Sequence, residues 1–189
     1  MAARKFCSLV LLRDPARNAV LLGLKKHGFG AQKLNGFGGK VEPGETLLRC
    51  ALREMEEESG VTIAPGDCAH VGFLTFTFEG RAGEELHVHV FAAERHSGEP
   101  RETSEMAPVW CDCAAVPFDR MWADDRHWFP YLLSKQPFRG RFAFQGHDAI
   151  TSFALDAVPP GERLCPYVED PATAVLIPVG AAAQGTIDY

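Results

Sequence analysis

The chain has 189 residues, 46% of them hydrophobic and 23% charged, enough for one domain with a sizeable core and too short for two comfortable ones. Its formal net charge of −6 argues against a nucleic-acid polymer as partner, since phosphate neutralisation needs clustered Lys and Arg, but leaves room for a small phosphorylated ligand held locally by a metal. No apolar run approaches the ~18 residues of a membrane span, so no membrane partner is expected.

"KFCSLVLLR" and "NAVLLGLKK" are strand-like runs joined by the turn signal "DPARN". "HGFGAQKLNGFGGKVEPGE" is glycine-rich and predicts a loop with one short strand. A helix pattern follows from about Thr46 to Ser59, closed by Gly60 where helices favour a left-handed residue. "AHVGFLTFTFEG" and "ELHVHVFAAE" predict a hairpin across "GRAGE", and "APVWCDC" another short strand. "DDRHWFPYLLSK" predicts a helix with an aspartate cap, kinked at Pro130. "FRGRFAFQG" and "AITSFAL" close the ordered domain, taken as residues 1–156. Residues 157–189 are rich in Pro, Ala and Gly and are expected to form a poorly ordered tail. The alternative is that "TAVLIPVG" packs as an extra edge strand.

The opening "MAARKF" runs straight into the first strand, which leaves no room for a cleavable signal. The six cysteines lack framework spacing and are expected to be reduced thiols, in the cytoplasm, with nuclear or mitochondrial import left open. Cys111-x-Cys113 does not have zinc-site spacing and has no second pair. His87 and His89 point the same way on a strand and are expected to be structural.

The helix over 46–59 poses the sharpest question, because Glu54, Glu56, Glu57 and Glu58 crowd within five residues. Like charges at this spacing cost a helix roughly 0.2–0.5 kcal/mol per pair. At ~100° per residue, Leu47, Leu48, Ala51, Leu52 and Met55 form the buried stripe, and Glu58 projects inside it. Glu54 and Glu57 lie at its margin, whereas Glu56 belongs to a solvated face. Partly buried carboxylates do not stay charged and adjacent without a partner, and a hard divalent cation such as Mg²⁺ supplies one. The preceding "NGFGGK" is no P-loop, yet its glycines would let backbone approach a metal-bound phosphate.

From Gly39 the order is Gly, five residues, Glu45, seven residues, then Arg53-Glu54-Met55-Glu56-Glu57-Glu58-Ser59-Gly60-Val61. That resembles the Nudix box, GX5EX7REUXEEXGU, with every specified position filled. The resemblance implies an α/β fold, an α/β/α sandwich with a mixed sheet between helices. It also implies pyrophosphohydrolase activity with Mg²⁺ held by the helix glutamates and a loop carbonyl. Arg53 would orient a neighbouring glutamate, with Glu45 its partner.

Residues 5–155 are similar to the MutT-homologue branch of that family, which hydrolyses oxidised purine nucleoside triphosphates. The stretches concerned include "LLGLKKHGFGAQKLNGFGGKVE", "HVHVF", "SEMAPVW" and "MWADDRHWFP". This likeness implies metal ligation by Gly38, Glu54, Glu57, Glu58 and Glu105, with Glu54, Glu57, Glu58 and Arg53 carrying catalysis. Ser8, Lys25, Asn35, Phe37, Gly38, Gly39 and Lys40 would line the nucleotide site with Trp122, Ala123, Asp124 and Asp125. Phe29, Phe76 and Trp128 would complete its wall. Trp122 can stack on a purine, and paired aspartates can accept from the N7–H that distinguishes oxidised guanine. The likeness also implies acceptance of 2-oxo-adenine by exchange of which aspartate is protonated, and close carboxylates allow such shifted, coupled protonation. Departures from the branch are Ser8 for Thr, Leu34 for Trp, Leu86 for Met, and the tail. The expected partner is a small nucleotide and the expected state a monomer. The alternatives are a Nudix pyrophosphatase for a methylated purine nucleotide or nucleotide sugar, and a catalytically silent binding module.

Overall fold

The protein is described by a computed structural model over residues 3–80, 83–146, 148–169 and 176–179. The first two residues, the hairpin tip at Arg81 and Ala82, His147, residues 170–175 and the final ten residues lie outside the described residues. Strand β1 (Ala3–Asp14) turns into β2 (Ala19–Lys25), and β3 is the short Leu34–Asn35. Helix α1 (Leu47–Ser59) follows the glycine-rich loop. Then come β4 (Cys68–Phe78), β5 (Glu84–Ala93), β6 (Met106–Asp112), α2 (Asp125–Leu133), β7 (Phe138–Gln145) and β8 (Ala149–Ala157).

One mixed sheet runs β3-β2-β1-β5-β4-β7-β8, with β6 pairing along β2. The pairs β1–β5 and β4–β7 are parallel and the rest antiparallel. Successive residues of a strand face opposite sides, and the two cores obey that rule. Leu11, Val20, Leu22, Leu74 and Val90 pack with Trp128, Phe129 and Leu132 of α2. Val10, Leu12, Leu21 and Phe91 pack with Leu47, Ala51 and Met55 of α1. The sheet is therefore covered by a helix on each face, as an α/β/α sandwich requires.

Local chemistry sets the ends of α1. Thr46 is its N-cap, with Oγ1 accepting from Arg49 N at 3.2 Å. Gly60 ends it at φ 74°, a left-handed conformation that strains residues with a Cβ. Helix α2 departs from expectation at its start, since the Asp124 side chain makes no capping hydrogen bond. Its carboxylate accepts instead from Trp128 Nε1 at 2.9 Å, one turn on, and the helix continues through Pro130 to Leu133.

The segment after β8 also differs from expectation. Among its described residues, β9 (Tyr167–Glu169) pairs with β10 (Leu176–Pro178) in a separate two-stranded ribbon. The described part of the stretch expected as a possible edge strand, Leu176–Pro178, thus pairs with its own neighbour rather than with the main sheet. Tyr167 is buried against Phe6, Phe73 and His87, with ring centroids 5.1, 6.2 and 5.5 Å away. Glu169 accepts a hydrogen bond from the Leu47 N–H at the start of α1, and Leu176 packs on the α1 core. The physical reason is coverage. Helix α1 spans only part of its sheet face, and the Phe6, Phe73 and His87 side chains beyond it need an apolar cover.

Candidate active site

The glycine-rich loop and α1 meet beside β1. A Cβ at Gly38 would collide with the Ser8 carbonyl oxygen, and one at Gly39 with the Glu54 carboxylate. Gly38 admits no side chain because the clash is with backbone, whereas a side chain at Gly39 would displace the Glu54 carboxylate from the loop. Ser8 N donates to Gly39 O at 2.9 Å, Gly38 N donates to Glu58 Oε2 at 2.8 Å, and Ser8 Oγ lies 3.2 Å from Cys50 Sγ.

Arg53 organises the acidic cluster. Its guanidinium holds Glu45 through two contacts of 2.8 and 3.0 Å, and reaches Glu54 at 2.9 Å and Glu57 at 3.0 Å. That fork lowers the Glu45 carboxyl from its ordinary value and raises the Arg53 guanidinium. Burial pushes Glu54 up and Glu58 up to about 7, the latter opposed by the Gly38 N–H and Lys25. Lys25 Nζ sits 3.5 Å from Glu58 and 3.7 Å from Glu105.

The carboxylates do not form a closed cage. Among the described residues no three His, Cys, Asp or Glu side chains converge as metal ligands. Arg53 draws Glu54 and Glu57 to one side, while Gly38 and Lys25 hold Glu58 on the other. Glu57 is exposed rather than at the buried margin, like Glu56. The donor set still suits a hard cation. Five carboxylates (Glu45, Glu54, Glu57, Glu58 and Glu105) share the charges of Arg53 and Lys25, and two of them already gather about one ammonium.

Next to this cluster, on the α2 face of the sheet, lies a cavity of 330 Å³. Ser8, Lys25, Asn35, Gly38, Gly39 and Lys40 border its loop side, and Phe29, Phe76, Trp122, Asp124, Asp125 and Trp128 its other walls. Phe29, 54% exposed, stacks on Trp122 with centroids 4.9 Å apart, and Lys33 Nζ lies 5.1 Å from the same indole. Asp124 and Asp125 are buried side by side. Burial raises both carboxyls, Asp125 further because Asp124 adds its charge, and Asp125 Oδ2 accepts from Trp122 N at 2.9 Å. Each carboxyl is thus held above its ordinary value, and the two titrate as an interacting pair.

Two expected wall residues lie elsewhere. Phe37 is wholly buried in the α1 core, because its backbone bridge to Val10 turns the side chain to the other sheet face. Ala123 packs against the α2 core and does not border the cavity. Sequence reasoning missed Cys7, Leu9, Leu74, Phe78 and Phe144, which do. Strand alternation carried the signal: Cys7 and Leu9 share a face on β1, as do Leu74, Phe76 and Phe78 on β4.

The NUDIX domain family matches residues 4–132. The chain is 50% identical over 159 residues to the oxidized purine nucleoside triphosphate hydrolase of Danio rerio, covering 84% of this chain and 98% of the relative. It is 46% identical to the enzyme of the same name from Mus musculus, with the same coverage. Among solved structures it is similar to a MutT protein from Bacillus halodurans, at 26% identity and a TM-score of 0.71 over 80% of this chain and 97% of that one. Members of this family generally need a divalent cation. With the box, the sandwich and these relatives in agreement, the chain belongs to the Nudix family of hydrolases.

Proposed function

We propose that this chain hydrolyses oxidised purine nucleoside triphosphates, 8-oxo-dGTP and 2-oxo-dATP, to the monophosphate and pyrophosphate, with Mg²⁺ as the cation. The single observation that carries the base assignment is the buried Asp124–Asp125 pair beside the Trp122 shelf. The names of the two relatives support the same substrate class.

The purine stacks between Trp122 and the residues of β4, and its edge meets the aspartate pair. An ionised carboxylate accepts from the N7–H of oxidised guanine and repels the N7 lone pair of ordinary guanine, while the protonated partner donates to a carbonyl. The same pair can exchange which member holds the proton, which lets it fit an oxidised adenine. Lys25, at the boundary between cavity and glutamates, supplies a positive charge to the phosphate chain.

Glu54, Glu57, Glu58, Glu105 and the Gly38 carbonyl would hold the cation, and Arg53, tied to Glu45, positions Glu54 and Glu57. A divalent cation held there would neutralise the triphosphate and polarise the attacked phosphorus. Water attacks the β-phosphorus, the α–β bridging oxygen leaves with the monophosphate, and a carboxylate takes the water proton.

Steady-state comparison of 8-oxo-dGTP with dGTP tests the reading. One matched charge-assisted hydrogen bond supplies about a tenfold to hundredfold preference in kcat/KM, and Asp124→Asn or Asp125→Asn shrinks it. Equal treatment of the two nucleotides by the wild type would overturn the base assignment and leave the family assignment standing.

A further inference from the structure

A second cavity, of 430 Å³, lies on the opposite face of the sheet, between strands β4, β7 and β8 and the segment that follows β8. It falls in the size range of small-molecule sites. Its tail-side wall is Arg163, Leu164, Cys165, Pro166 and Val179, so the cavity exists only because that segment docks. The wall is tied in place: Val158 N donates to Pro137 O at 2.7 Å, Val179 N to Pro166 O at 2.8 Å, and Arg139 Nη2 meets Glu162 at 3.0 Å.

Three arginines border it, in a protein whose net charge is −6. Arg139 is matched by Glu162, and Asp156 also borders the space. Among the described residues neither Arg141 nor Arg163 makes an ion pair, so their guanidinium donors meet no carboxylate at contact distance, although Glu85 feels the Arg141 charge. Thr75, 4% exposed, borders the same space, and its hydroxyl makes no side-chain hydrogen bond among the described residues. Phe73, Leu164 and Val179 give the remainder an apolar character. Arginine forks and a hydroxyl suit phosphate oxygens, and the apolar wall suits a ring or short chain beside them.

We propose that this cavity binds a small phosphate monoester with an apolar body, at a site separate from the catalytic one. The two sites share β4: Leu74 and Phe76 face the catalytic cavity, whereas Phe73 and Thr75 face this one. The proposal does not depend on the substrate assignment above, since no residue of the second lining takes part in hydrolysis.

The test uses phenyl phosphate as probe, on the full chain in EDTA so that cation-dependent phosphate binding at α1 is suppressed. Calorimetry gives the affinity and amide NMR the location. Saturable binding is expected, with shifts at Gly140, Leu164 and Cys165, and tighter than for inorganic phosphate. The double variant Arg141→Gln/Arg163→Gln, whose side chains are exposed and cost the fold little, should weaken it about tenfold to hundredfold. Leu164→Trp, which fills the cavity without changing charge, should abolish it. Absence of saturable binding, shifts confined to the catalytic cavity, or affinity unchanged in both variants would overturn the proposal.

Discussion

Trp128 and Asp124 are joined by a buried hydrogen bond of 2.9 Å, indole Nε1 to carboxylate Oδ2, one helical turn apart. The bond fixes the orientation of Asp124 at the cavity and favours its ionised form against the burial that raises it. Trp128→Phe removes the donor and leaves the ring. The Asp124 carboxyl should then rise further, and the acidic limb of kcat/KM for 8-oxo-dGTP should move to higher pH. Activity at neutral pH should fall about tenfold, the worth of one charge-assisted bond. A pH–rate profile that overlays the wild type would show that this bond does not set base recognition.

Glu58→Gln should leave the fold intact and nearly abolish cation-dependent hydrolysis. The amide keeps the shape and can still accept from the Gly38 N–H, but one negative charge leaves a site that must attract a hard cation. Turnover as a function of Mg²⁺ concentration, alongside circular dichroism, checks both halves. Normal turnover at ordinary Mg²⁺ would remove Glu58 from the cation site.

Removing residues 159–189 should lower the thermal midpoint by about 5–15 °C. The deletion exposes the Tyr167 contact surface, worth about 1.5–3 kcal/mol, and removes the Glu169 acceptor at the start of α1, worth about 1 kcal/mol. Glu169→Ala alone should cost only the smaller share. An unchanged midpoint in differential scanning calorimetry would mean that the segment does not hold the sheet face in solution.

His70 and His89 predict a loss of stability in acid. They lie 3.2 Å apart, and burial lowers them to about 4 and about 3 from an ordinary 6.5. Below pH 6.5 the unfolded chain binds protons that the folded pair refuses. Their contribution is therefore complete above pH 6.5 and is lost as pH falls through about 4 to about 3. Urea midpoints should decline across that window, and His89→Leu should flatten the decline. A midpoint independent of pH between 7 and 4 would contradict the burial of the pair.

What the sequence settled by itself was what short-range pattern encodes. Alternating apolar runs gave the strands, Thr46 and Gly60 gave the ends of α1, and fixed spacing from Gly39 to Val61 gave the family. Those signals are local, because a cap, a turn or a helix stripe involves residues a few positions apart. The tertiary structure alone decided which side of the sheet each residue served. It sent Phe37 to the core under α1 and Cys7, Leu9 and Phe144 to the cavity. It turned Asp124 from a helix cap into a partner of Trp128, because a buried indole N–H needs an acceptor. It also folded a Pro-rich segment over Phe6, Phe73 and His87. Composition suggested that the segment buries too little to order itself, but the apolar surface it covers belongs to strands distant in sequence, and only their assembly creates it.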